Sequence, residues 1–148
     1  MCSSDLPEEF IERWRPPGSR RSRAWEERFG EVKYAPLATQ AWKLALGEAG
    51  LGAEAVDHLI VTGMHARAVR GITARLGATN AGIVDDLSAS VGNTGSAHPG
   101  LLLASAIENA EPGAVIALVV LADGVDVHLF RTTTAVAAYR PTRTVATQ

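Results

Sequence analysis

The stretch GNTGSAHP, residues 92–99, sets one amide side chain, Asn93, among small residues just ahead of an apolar helical run. An amide donates hydrogen bonds at any pH and cannot take a proton away from a substrate. A second chemistry-bearing residue, His65, stands where another helical stretch begins, after the strand-like LIVTG. An imidazole at such a point can hold or move a proton near neutral pH. Both residues also have plainer readings. Asn93 can be a helix N-cap, and His65 can cap or pack. His98 lies beside Pro99 at the first turn of the later helix and could face the same place, although Pro there is ordinary. His58 precedes a strand and His128 sits on the outer face of another, so both read as structural. The single cysteine, Cys2, has no motif around it.

The elements that must position these residues are bounded by composition. The chain has 148 residues, enough for one domain with a core of its own. A net charge of −2 gives no basis for binding nucleic acid or a membrane surface. Hydrophobic residues make up 47% and aromatics 5%, a balance that suits a tightly packed α/β domain. The longest clean apolar stretch, residues 114–122, is strand-sized and followed by Asp123, so no membrane span is expected. One cysteine excludes a disulfide framework. No metal ligand set and no resident cofactor are expected, and the default location is the cytoplasm. Residues 1–6, MCSSDL, lack the apolar core of a signal peptide. Back-translated from a GTG start they match the end of a common sequencing adapter. They are expected to be a non-native scar, with an ordinary disordered terminus as the alternative.

Residues 7–33 are densely charged with mixed signs, a solvated face rather than a nucleic-acid patch. RPPGSR is read as breaking this insert into two short helices, with Phe10, Trp14, Trp25 and Phe29 as anchors. A helix follows over residues 34–50, its stripe formed by Leu37, Ala41, Leu44 and Ala45. LIVTG is a buried strand, HARAVRGITARLG a helix, and GIVDDLSAS holds a weaker strand over 83–87. The helix after the GNTG stretch runs over 96–110. AVIALVVLA is the strongest strand signal, and the alternation in VDVHLFRTT makes it a partner strand after the Asp123–Gly124 turn. Residues 134–148 read as a linker or tail. Strands alternating with helices predict a mostly parallel sheet covered on both faces, with an antiparallel pair at the end. In such sheets chemistry sits past the carboxyl ends of the strands, where Asn93 and His65 both fall.

VGNTGSAHPGLLLASAIENAEPGAVIALVVLADG resembles the C-terminal half of thiolase-fold condensing enzymes, in the ketoacyl-ACP synthase III and hydroxymethylglutaryl-CoA synthase branch. VDHLIVTGMHARAVRGITARLG resembles the preceding strand and helix of the same half, and the likeness covers about residues 34–133. It implies an α/β half of a thiolase-like fold and a homodimer when intact. It also implies a missing N-terminal half that would carry the catalytic cysteine. Cys2 lies outside the matched region. Asn93 matches the family's catalytic Asn. There it would donate to the thioester oxygen as negative charge develops, a contribution of about 3 kcal/mol for one such donor. Gly92 and Thr94 flank it as substrate-binding positions, small enough to let the acyl chain approach.

The family often has PHQAN where this chain reads VTGMH. Gapless counting puts Thr62 at the family's His position and His65 at its Asn. His65 is therefore the candidate acid–base residue, acting from a shifted loop, unless the site has lost that group. Asp123 replaces part of a glycine-rich loop and would disfavour an anionic substrate. The function implied is acyl-thioester condensation, an acyltransferase reaction of lipid metabolism. Its substrates would be thioesters of coenzyme A or acyl carrier protein, and this half alone would be inactive. The alternatives are a non-catalytic acyl- or lipid-binding subunit and a ligand-free oligomerisation scaffold.

Overall fold

The structure, a computed structural model, describes residues 2–8, 10, 11 and 13–145. Among them the chain runs β1 (Cys2–Pro7), β2 (Arg13–Trp14), β3 (Arg23–Ala24), α1 (Glu27–Ala49), β4 (His58–Gly63) and α2 (Ala66–Arg75). It continues through β5 (Gly82–Ile83), α3 (His98–Glu108), β6 (Val115–Leu121) and β7 (Gly124–Arg131). Five strands form one sheet in the order β1-β7-β6-β4-β5. β4 pairs in parallel with both β5 and β6, while β7 is antiparallel to β6 and β1. The expected mixed, mostly parallel sheet is present, but the antiparallel pair is not its edge. Residues 2–7, which include all but the first residue of the stretch 1–6 read from the sequence as a scar, pair with β7 from Cys2 opposite Leu129 to Pro7 opposite Gly124. Their origin is a separate matter from that pairing.

Side-chain alternation divides the core into two layers. On one face Leu59, Val61, Val115, Ala117, Val119, Val125 and Val127 pack against Tyr34, Ala38, Ala41, Trp42 and Ala45 of α1 and Ala68 and Ile72 of α2. On the other, Ile60, Ile116 and Leu118 pack against Leu102 and Ala106 of α3. The split follows from connectivity. From β4 the chain steps outward to β5, then back across β4 to β6. Crossovers of one hand in opposite directions put their helices on opposite faces. A crevice opens where the direction reverses, at the carboxyl ends of the parallel strands.

The charged insert does not form two helices. RPPGSR makes a turn in which the Ser19 N–H donates to the Pro16 carbonyl at 3.0 Å, with Gly18 at φ +78°. Pro then Gly at the two central positions is the type II pattern, and it joins β2 to β3. The second predicted helix is instead the first turns of α1, which begins at Glu27 rather than at residue 34. The aromatics dock on one another. Ring centroids lie 5.1 Å apart for Trp14–Trp25, 4.9 Å for Trp25–Phe29, 6.2 Å for Phe29–Phe10 and 5.3 Å for Phe10–Tyr34. This ladder ties the hairpin to the core at the fully buried Tyr34. The weak strand predicted over 83–87 is only Gly82–Ile83, because after Val84, whose N–H still donates to the Leu59 carbonyl, the chain turns away at Asp85–Ser88.

Candidate active site

The crevice measures about 320 Å³. Thr62, Gly63 and Met64 at the end of β4 form its floor, Arg70 of α2 one wall, and Asp86, Asn93 and His98 the other. Gly63 lets the floor close up against β6. A Cβ there would lie 2.8 Å from the Leu121 Cβ and 3.0 Å from the Leu121 carbonyl oxygen.

Asn93 is not the N-cap that the sequence offered as its plainer reading, since Thr94 and Ala97 hold the cap positions of the turn at 95–97 and of α3. Its Oδ1 accepts from the Gly95 N–H at 2.8 Å, holding the turn that leads into α3. Only the oxygen can accept from that donor, so the NH2 end must turn the other way. Nδ2 lies 3.6 Å from Met64 Sδ, a weak acceptor at the crevice floor. The oxygen is spent on the turn at Gly95, and the amide nitrogen faces the crevice floor, where Met64 Sδ is its weak acceptor.

The crevice wall next to Asn93 is electrostatically structured. The Ser88 N–H donates to Asp86 Oδ1 at 2.9 Å. Hydrogen bonds from Ser88, backbone first and hydroxyl second, hold the Asp86 carboxyl below its usual range against an upward push from burial. His98 adds a further downward pull. Thr94 Oγ1 and His98 Nδ1 are 3.4 Å apart, one turn along the chain.

His65 does not join this group. It is the N-terminal boundary residue of α2, but its side chain makes no capping bond. The ring is buried on the other side of β4, its centroid 6.1 Å from that of Tyr34 in α1. A Cβ on Gly30 would meet its Cγ at 2.7 Å. The physical reason is the strand period: His65 turns toward the α1–α2 layer, whereas Thr62 shares the α3 face with Ile60. Gly92 and Thr94 also stand behind the crevice wall rather than on it. Gly92, at φ +77°, donates its N–H to the Leu87 carbonyl, and Thr94 supports His98. Asp123 is at the β6–β7 turn and lines a separate cleft with Pro7, Glu8, Phe10 and Ile11. His58 opens β4, and the His128 ring lies 6.3 Å from that of Phe130 on β7.

Sequence reasoning missed Arg70, Asp86 and Ser88. The Asp-Asp-Leu-Ser string could have flagged a turn: Asp85 Oδ1 accepts from the Leu87 N–H at 2.7 Å, as Asp86 does from Ser88. Nothing in its spacing says that the turn leans over the end of β4.

This fold and crevice can be set beside known proteins. Residues 46–128 match the model of the 3-oxoacyl-[acyl-carrier-protein (ACP)] synthase III C-terminal family. The chain belongs to that family. Its architecture is half of a thiolase-like fold. Among solved structures it is similar to AbyA1, a tetronic acid condensing enzyme, at 18% identity and a TM-score of 0.67. It is equally similar, at the same identity and TM-score, to the synthase III FabH from Pseudomonas aeruginosa PAO1. Each alignment covers 88% of this chain and 43% of the other, so the synthase III C-terminal domain spans less than half the length of those proteins. No curated protein matches it. No helix among the described residues is long and apolar enough to cross a membrane.

Proposed function

We propose that this synthase III domain is the C-terminal half of an acyl-thioester condensing enzyme, with Asn93 as an oxyanion donor. A preceding half would supply the nucleophilic cysteine. The substrates would be thioesters of coenzyme A or acyl carrier protein, and the intact protein would be a homodimer. The observation that carries the reading is the orientation of one amide: Oδ1 is committed to Gly95 and Nδ2 turns to the crevice. Condensation develops negative charge on a thioester oxygen, and a fixed neutral donor beside it lowers the barrier. The start of α3 adds its positive dipole end. The family match and the condensing enzymes among the solved relatives support the same reaction class.

Asn93→Asp in the full-length protein is the test, because Asp keeps an oxygen for Gly95 and loses the donor. The expected outcome is an unchanged unfolding midpoint with condensation slower by roughly 100- to 1000-fold. An unchanged rate makes Asn93 architecture alone and removes the basis for the reading. Thr62 at the family's His position favours a second reading, a non-catalytic acyl-binding subunit. In that case the wild-type protein binds an acyl thioester without turning it over.

A further inference from the structure

We propose that His98 is the acid–base residue of this crevice, taking a proton from the carbon next to a thioester carbonyl while Asn93 holds the oxygen. This rests on the thioester reading above. The family resemblance implies an acid–base group at Thr62, and a threonine hydroxyl is no base near neutral pH. His65, the other candidate, is turned into the α1–α2 layer against Gly30 and Tyr34. His98 is the one imidazole among the described residues on the crevice wall. It is only 5% exposed, which excludes most competing water from the ring.

Its surroundings fit the role. With the Nδ1–H donating to Thr94 Oγ1, at 3.4 Å, the lone pair lies on Nε2 and the ring is fixed. The charged groups facing the crevice are Asp86, from the loop after β5, and Arg70, from α2; β4 brings none. An ionised Asp86 favours the imidazolium that forms on proton transfer, and Arg70 opposes it. The step balances within the site. Nε2 takes the α-proton, the C–H electron pair forms the carbon–carbon double bond of the enolate, and the carbonyl π pair moves onto oxygen. Asn93 Nδ2 then donates to that oxygen. Asp86 and Thr94 act through His98 and are positioning residues.

The α-proton transfer can be read without any condensation. The full-length protein is incubated with S-acetylpantetheine in D2O, and loss of the acetyl methyl signal is followed by proton NMR. Binding of the same probe is measured separately by saturation transfer. Wild type should exchange the methyl protons faster than buffer. His98→Gln should still bind the probe but exchange it 100- to 10,000-fold more slowly. Asp86→Asn should still bind the probe and slow its exchange by a smaller factor than His98→Gln, because it removes a carboxylate that favours the imidazolium without removing the base. Exchange at the wild-type rate in His98→Gln overturns the proposal. So does loss of exchange in His65→Gln with His98→Gln unaffected, or probe bound by wild type without exchange. Failure of wild type to bind S-acetylpantetheine overturns the thioester reading itself, and the role of His98 with it.

Discussion

Gly30→Ala is the sharpest test of where the His65 ring lies. Gly30 is inside α1, where Ala is ordinarily the better residue by about 1 kcal/mol. Here the added methyl would stand 2.7 Å from His65 Cγ, 2.9 Å from Cδ2 and 3.0 Å from Nδ1. The ring cannot simply step aside, because it is 6% exposed and Tyr34, on its flank, is fully buried. Overpacking of this kind costs about 1–3 kcal/mol. Taking about 2 kcal/mol for the clash, less about 1 kcal/mol of helix preference, leaves a net loss near 1 kcal/mol. For a chain of this length that lowers the thermal midpoint by roughly 2–4 °C. Removing the ring should change the sign. In a His65→Ala background Gly30→Ala should stabilise, and the double-mutant cycle should show a coupling of about 2 kcal/mol. Urea unfolding of the four proteins measures all of this. Stabilisation by Gly30→Ala in the wild-type background, additive with His65→Ala, would refute the packing. It would return His65 to the list of residues free to enter the crevice.

Two further outcomes follow from the sheet. Gly63→Ala should destabilise by about 1–3 kcal/mol, because the new methyl meets the side chain and carbonyl of the paired Leu121. Circular dichroism melting checks it, and a rise in the midpoint would show that the floor is looser than described. Asp126 faces Asp5 across the β1–β7 pair, and burial, then Asp5, raises its carboxyl above the usual range, with His128 pulling partly back. A carboxyl raised on folding makes its ionised form unfavourable to the fold, so stability on this account rises as pH falls through the Asp126 titration. Asp126→Asn should therefore stabilise near pH 7 and lose that advantage near pH 3, where the wild-type carboxyl is protonated as well. Urea midpoints at the two pH values test the sign, and an equal gain at both would exclude an electrostatic origin.

What the sequence determined by itself was local or periodic. The apolar run over 114–122 and the alternation over 125–131 specified β6 and β7, because a strand's period of two can be read from six or seven residues. Glycines marked the helix ends: the sequence left Gly50 and Gly52 open for the first and named Gly77 for the second, and Gly50 and Gly77 are the ones with positive φ, which few other residues adopt without strain. The family likeness carried the order of elements and placed Asn93 at a helix start. The charged insert was misread because mixed charge favours no particular element. The Pro-Pro-Gly-Ser turn and the aromatic ladder that seats the hairpin outweighed it. Tertiary structure alone assembled the candidate site. Asp86, Asn93 and His98 meet Thr62 and Arg70 only because the chain reverses direction about β4, which brings separate segments to one strand end. His65 was excluded from the site by the face on which its ring leaves the end of β4. The orientation of the Asn93 amide is set by Gly95, whose N–H claims its oxygen. A sequence names a side chain but not the direction of its atoms, and in this crevice that direction decides which groups can act on a substrate.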